Sequence, residues 1–415
     1  MELNSPTSLM PADWQEESIS ELCLNIIDFR GRTPKKLGMQ WGGGHIPALS
    51  ANNVKPGHID FSEECNYGSD ALYRRWMTNG DAAKDDVVFT TEAPLGNVAL
   101  IPDDRKYILS QRTILLQPLP GCVLGKFLYH AISADKFQKV LADNATGSTA
   151  QGIQRRRLEK LTLKRPPIEE QRIIAAALSD IDALVGALDA LIAKKRDLKQ
   201  AAMQQLLTGS TRLSGFITRW QSMRLGDVGV FLKGSGVRKD EARSGSLPCV
   251  RYGEIYTHHN DNIKSFNSWI SPEVASTATR LKPGDLLFAG SGETKEEIGK
   301  CVAFTGDIEA YAGGDIVILR LREANSVFMG YYCNTPPIAR QKASKGQGDA
   351  VVHISATALS AIEVFLPTVA EQTAIATILS DMDAELAALE ARREKTRALK
   401  QGMMQELLTG RIRLV

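Results

Sequence analysis

The sequence predicts an α+β protein: two mixed α/β globules joined by two long antiparallel helices in a coiled-coil-like bar, with an internal pseudo-twofold repeat. Three observations carry this. First, residues 166–213 overlay residues 367–414 at an offset of 201, with 26 identities in 48 positions. Second, both copies place apolar residues at alternating steps of four and three, the stripe of a helix that packs on another helix. Third, the stretches before each copy carry short β-rich runs between Gly, Pro, Asn and Asp signals. The segments are therefore 1–165 (globule), 166–213 (long helix), 214–366 (globule) and 367–415 (long helix).

The bulk numbers narrow the class. A chain of 415 residues has room for two or three domains. With 43% hydrophobic and 24% charged residues it has an ordinary globular composition. No apolar run approaches the roughly 18 residues of a membrane span. The opening "MELNSPTSLMPADWQEES" lacks the basic start and apolar core of a signal peptide. Cys23, Cys65, Cys122, Cys249, Cys301 and Cys333 form no CxxC pair, which argues against a zinc ribbon or redox pair and fits reduced thiols in the cytoplasm. Net charge is only +2, so any nucleic-acid contact must come from local clusters.

In the first globule, "DVVFTT", "GNVALI" and "RTILLQP" read as strands. Basic residues cluster in loops: Arg30, Arg32, Lys35 and Lys36 in "FRGRTPKK", Arg74 and Arg75 in "YRRW", and Arg155, Arg156 and Arg157 beside Gln151 and Gln154 in "QGIQRRRLEK". Asn52, Asn53, Gln111 and Arg112 complete the candidate DNA contacts of this half. Arg and Lys suit phosphates, while Arg, Asn, Gln and Tyr can also bond base edges. Residue by residue, a solvated charged surface explains such groups equally well.

The first long helix opens after Pro166 and Pro167, with Glu169 and Glu170 at the end where the helix dipole favours acids. Its stripe is Ile174, Leu178, Ile181, Val185, Leu188 and Ile192, and it stops at Gly209. From Glu169 to Thr208 it would run about 60 Å, too far to lie within one globule, although two core helices of one domain would share the pattern. Leu188→Asp should place a charge in the seam.

The second globule shows "DLLFAG" and "DIVILRL" as strands. Its candidate contacts are Lys233, Arg238 and Lys239 in "FLKGSGVRKD", Arg251, Tyr252 and Tyr256 in "VRYGEIYTHHN", and Lys295, Lys345 and Gln347. The globules are near neutral, with 20 basic against 19 acidic residues in the first and 17 against 16 in the second. Fainter echoes of the repeat pair Pro47 with Pro248, Gly147 with Gly348, Ile153 with Ile354, Leu158 with Leu359, and "DDVVF" with "GDLLF". The second helix follows Pro367 and Glu371, carries Ile375, Leu379, Met382, Leu386 and Leu389, and stops at Gly410.

Catalytic motifs are weak. "GSGETKEEIGKC" has the wrong spacing for a P-loop, with Cys301 in place of its hydroxyl. "NTPPI" has an extra Thr335 and no aromatic, unlike an amino-methyltransferase loop. His258 and His259 form no ligand spacing. Asp285, Glu293 and Lys295 loosely match a metal-dependent nuclease set, a spacing that accident often produces. A scaffold that pairs two proteins without touching DNA is the other alternative.

The openings "PIEEQRII" (Pro167–Ile174) and "TVAEQTAI" (Thr368–Ile375), each followed by a long helix ending "LLTG", together with "VRYGEIYT", "LKPGDLLFAGSGET", "GQGDAVVHI", "GRTP" and "EAPLGNVA", resemble the specificity subunits of type I restriction–modification enzymes. The resemblance covers nearly the whole chain. It implies that each globule is a target-recognition domain reading one half of a bipartite double-stranded DNA target. It implies a helical spacer that docks two methyltransferase subunits carrying SAM. Restriction motor–nuclease subunits using ATP and Mg would join them. The chain itself would be non-catalytic, without cofactor or metal, cytoplasmic and without a membrane partner.

Overall fold

The computed structural model describes residues 11–147, 151–348 and 351–414. The start of the N-terminal stretch read above as no leader, and Asp349 and Ala350 of "GQGDAVVHI", lie outside the described residues. The chain separates into two compact units, with boundaries at Asp189/Ala190 and Glu390/Ala391. Each unit is therefore a globule plus a stretch of both long helices, a grouping that the linear segments did not express.

In the first unit, four antiparallel strands run in the order Cys23–Asp28, Thr113–Pro118, Val87–Thr91, Leu95–Leu100. Side chains alternate across a pleated strand, and here both faces are covered. Ile26, Val87, Phe89, Val98, Ile114 and Leu116 point into a core shared with the long helices. Ile27, Val88, Ala99 and Leu115 point into a second core with Leu49, Trp76 and Tyr107. Double burial is why "VVF" and "ILL" read as continuous apolar runs. Ile46–Leu49 pairs antiparallel with Tyr67–Gly68 and parallel with Ile108–Leu109. Gln15–Ser18 pairs with Thr162–Arg165.

The second unit repeats this topology. Its sheet runs Gly229–Lys233, Ile316–Leu321, Asp285–Ala289, Cys301–Phe304. Leu286, Phe288, Ala303 and Leu319 feed one core, and Leu287, Val302, Phe304 and Ile318 the other. Leu247–Val250 lies between Ser268–Ile270 and Tyr311–Ala312. Gln221–Arg224 pairs with Glu363–Leu366. Pro47 and Pro248 hold the same register, opposite Tyr67 and Trp269.

The long helices span Ile168–Leu206 and Val369–Leu407, 39 residues each. Their shared Gln anchors the start. Gln171 Nε2 donates to the carbonyls of Pro166 and Cys122, both at 2.9 Å, and its Oε1 accepts from Leu124 N at 2.9 Å. Gln372 donates to Pro367 O and accepts from Asn325 N, again at 2.9 Å. Gly209 (φ 69°) and Gly410 (φ 75°) end the helical segments in the left-handed region expected of them.

Within each unit the two helices run antiparallel. In the first, Asp182 meets Lys400 at 2.6 Å and Asp189 meets Arg393 at 3.1 Å. In the second, Lys199 meets Asp383 and Lys195 meets Glu385, both at 2.6 Å. The apolar seam needs correction. Ile174 and Leu178 pack into the first globule's core, and Ile375 and Leu379 into the second's. Leu188 and Leu386 are buried mid-helix, whereas Ile181, Val185, Met382 and Leu389 are only half-buried. The helix ends thus serve as core elements, while in the middle the buried Leu188, Ile192 and Leu386 are flanked by charged pairs.

The repeated phrase also has a crosswise function. Glu170, at the head of the first copy, is 1% exposed and receives Arg413 from the tail of the second, at 2.7 and 3.0 Å. Glu371, at the head of the second copy, is 1% exposed and receives Arg212 from the tail of the first, at 2.5 and 2.6 Å. Arg212 and Arg413 are matched positions, so the repeat keeps both ends of this forked bond.

Candidate nucleic-acid interface

One end of the four-stranded sheet collects loops in the same way in both units. In the first, Thr91 N donates to Arg112 O (2.8 Å) and Ile153 N donates to Thr91 O (2.9 Å). In the second, Gly290 N donates to Asp315 O (2.7 Å) and Ile354 N to Gly290 O (2.9 Å). Arg112 (φ 63°) and Asp315 (φ 59°) share a left-handed backbone. A strap closes the frame: Thr146 pairs with Gly152, and Gln347 with His353. Ile153 and Ile354, and Leu158 and Leu359, anchor the two straps in their cores.

Several expected residues meet on this frame. Arg30 forks onto Asp28 and reaches Ile153 O at 3.4 Å. Burial opposes the charge of Asp28, but hydrogen bonds from Arg30 hold its carboxyl below the usual value. Arg112 pairs with Glu92 at 3.2 Å, both half exposed. Arg155 pairs with Glu159 at 2.6 Å. Gln111, Gln154, Arg156 and Lys35 are exposed, and Lys36 Nζ donates to Gly31 O at 2.6 Å. In the second unit Lys233, Arg238, Lys239, Lys295 and Gln347 are exposed and Lys345 is half-buried.

Other candidates sit on different elements. Arg74 and Arg75 lie on the helix Asp70–Trp76, whose Tyr73 and Trp76 face the core. Asn52 is exposed in the turn before Val54. Arg251 caps the helix Tyr252–Thr257, where Tyr252 is exposed. Three assignments are corrected. Asn53 is fully buried, accepting from Ser50 N (2.8 Å) and donating to Ala48 O (3.1 Å), so it shapes a turn and reaches no base. The hydroxyl of Tyr256 is buried. The Arg32 guanidinium is committed to Trp76 O and Thr78 and lies over Phe29, 4.5 Å from the ring centroid.

The nuclease set also fails. Asp285 is 1% exposed, accepts from Lys282 N (2.8 Å), and is held by Arg320 at 2.9 and 2.8 Å. Its counterpart Asp86 does the same turn-closing job, accepting from Ala83 N and Gln117 Nε2, both at 2.9 Å. Glu293 and Lys295 are exposed. Among the described residues, no group of three or more His, Cys, Asp or Glu is placed to hold a metal. Asn334 of "NTPPI" bonds Cys301, and Pro336 starts a helix, as a loop reading implied. The same frame carries Glu92, Ser291, Asp315 and His353, which no basic cluster or motif in the sequence marks. Extending the 201-residue offset through the straps would have aligned Gly152 with His353.

A duplicated sheet frame that presents different polar side chains from matched loops defines a recognition protein. Residues 11–194 and 218–398 match the family described as "Type I restriction modification DNA specificity domain". The chain belongs to this family, the DNA-specificity subunits of type I restriction–modification systems. Its function is recognition of DNA sequence as part of such an assembly. It is 21% identical over 423 residues to the type I restriction enzyme MjaVIII specificity subunit of Methanocaldococcus jannaschii, covering 98% of this chain and 94% of that protein. It is 23% identical over 428 residues to the putative MjaX specificity subunit of the same organism, covering 98% and 95%. The crystal structure of a type I restriction–modification S subunit from M. genitalium has the same fold (TM-score 0.61, 16% identity, 98% of both chains). So does a chain solved in a study of type I complex assembly and conformational transition (TM-score 0.58, 18% identity, 97% and 100%). No described helix is long and apolar enough to cross a membrane.

Proposed function

We propose that each unit reads one half of a bipartite duplex target, and that the long helices act as the spacer and docking surface for two methyltransferase subunits. The observation that carries this is the matched loop frame with unmatched side chains, Arg112 and Glu92 in one unit against Asp315 and Ser291 in the other. A phosphate-only or scaffolding surface has no use for such divergence on a constant backbone. Exposed Ile173 and Leu184 in the first unit, and Leu191 and Leu198 in the second, offer apolar area to a protein partner. Methyl transfer then belongs to the SAM-carrying partner, and cleavage to ATP- and Mg-using restriction subunits. This chain contributes no catalytic group and works in the cytoplasm. Near-neutral units fit a subunit that supplies discrimination while its partners supply much of the phosphate attraction.

The test is to co-express the chain with its methyltransferase subunit and map methylated adenines across a genome. The expected result is one split sequence that follows the identity of this chain. Methylation at an undivided site, or independent of this chain, overturns the reading.

A further inference from the structure

We infer that base readout is concentrated at one matched position per unit, Arg112 in the first and Asp315 in the second, with Glu92 holding Arg112 and the Ser291–His353 pair standing at the matched place beside Asp315. This rests on the bipartite DNA reading and names the residues that would carry it.

The backbone bonds described above fix the equivalence. Thr91 and Gly290 each donate to a residue in the left-handed region, and each accepts from the strap isoleucine. Side-chain-bearing residues seldom adopt that conformation, and its persistence at a loop is a mark of functional sites. Here it occurs at the same place in both units, once with arginine and once with aspartate. Opposite charges at one position show that the fold requires neither of them. Residues that the fold does require stay matched between units: Asp86 with Asp285, Glu170 with Glu371, Gln171 with Gln372. The frame therefore holds constant geometry for variable chemistry.

That chemistry is specific. The Arg112 fork matches the O6 and N7 acceptors of guanine, and the Asp315 carboxylate accepts from the N4 amine of cytosine. Glu92 occupies Arg112 at 3.2 Å with both side chains half exposed, so the pair is easily exchanged for a base edge. Its carboxylate also repels phosphate, which keeps Arg112 from binding any backbone indiscriminately. In the second unit the pair is absent. Ser291 Oγ lies 2.9 Å from His353 Nδ1 and orients the exposed imidazole beside Asp315's turn. Arg30 and Arg155 in one unit, and Lys233 in the other, stand on the same rim for phosphates.

The experiment uses the complex of the full chain with its methyltransferase subunits and a randomised duplex library, sequenced after selection. The wild-type complex is expected to select a split site; failure here counts against the bipartite reading, not against these residues. Given that site, Arg112→Lys keeps the charge and loses the fork, so it should relax one guanine preference in one half by roughly tenfold. Asp315→Asn should relax one position in the other half only. Glu92→Gln should raise binding to non-cognate duplex and leave the preferred sequence in place. Unchanged preferences in Arg112→Lys and Asp315→Asn overturn the inference. So does uniform weakening on all sequences with a shallower salt dependence, which marks a phosphate contact. Melting curves equal to wild type establish that the variants are folded.

Discussion

Asp86 and Asp285 close the same turn at the start of the same central strand, but their companions differ. Asp86 has the neutral Gln117, and burial raises its pKa. Asp285 has the forked cation Arg320. A second matched pair contrasts in the same way. His130 faces Ser179 at 3.2 Å, with Asp182 at 3.9 Å, and Asp182 is held by Lys400. Tyr331 stands in the same place, donating to Asp383 at 2.6 Å, and Asp383 is held by Lys199. Duplication has preserved which positions are polar and buried, while the means of satisfying them has drifted. The difference teaches that a buried polar site constrains the sum of its partners more than any one of them.

Four measurements would break or sharpen this comparison. The largest effect is expected at the shared cores. Leu178→Asp and Leu379→Asp each bury an unpaired charge among fully enclosed side chains and should cost about 4 kcal/mol or more. Denaturant melts should show similar losses for the two; a mild loss at either would mean that the units are not built alike.

Next come the turn aspartates. Asp285→Ala strands the Arg320 guanidinium and should cost about 2–3 kcal/mol, against about 1–2 kcal/mol for Asp86→Ala, which strands neutral donors. Equal losses would erase the distinction between the pairs.

The histidine gives a pH signature. Burial, helped by Lys400 and Lys126, lowers the His130 pKa from 6.5 to about 3. The unfolded chain therefore takes the proton first, so this group's contribution is complete above pH 6.5 and declines as pH falls towards about 3. His130→Tyr, which installs the second unit's residue, should flatten that part of the acid limb. His259, held at about 4 mainly by burial, leaves the rest. An unchanged slope in stability measured from pH 7 to pH 4 would remove His130 as the cause.

The smallest effect is expected at the exposed helix pair Arg196–Glu390, where Arg196→Ala should change stability by less than about 0.5 kcal/mol. A larger loss in a thermal melt would give this pair a structural weight that its exposure does not indicate.

Much of the fold was legible because its signals are local. Gly209 and Gly410 stop helices through backbone freedom, and the step-four, step-three stripe needs only sequence spacing. Partners distant in sequence were not legible. The stripe residues Ile174 and Leu178 look like a seam until the globule that covers them is known. Asn52 and Asn53 are indistinguishable as letters, yet one is exposed and the other buried against Ser50 and Ala48. Asp285 looked available to a metal because nothing in its own segment announces Arg320. The loop end of the sheet was half legible: Arg30, Arg112 and Arg155 stood out by charge, whereas Asp315 and His353 acquire meaning only from the turn and strap that match them to Arg112 and Gly152.

The crosswise bond of Glu170 to Arg413 has a consequence for the order of synthesis. The second unit is contiguous, and all of its chain exists once Glu390 has been made. The first unit is begun earlier but still lacks Leu407, Leu408 and Arg413, which complete its core and neutralise Glu170. On the ribosome the part translated first is thus the part finished last. Emergence of the segment from Leu407 to Arg413, and not of the first globule, sets the moment at which the first unit's core is complete.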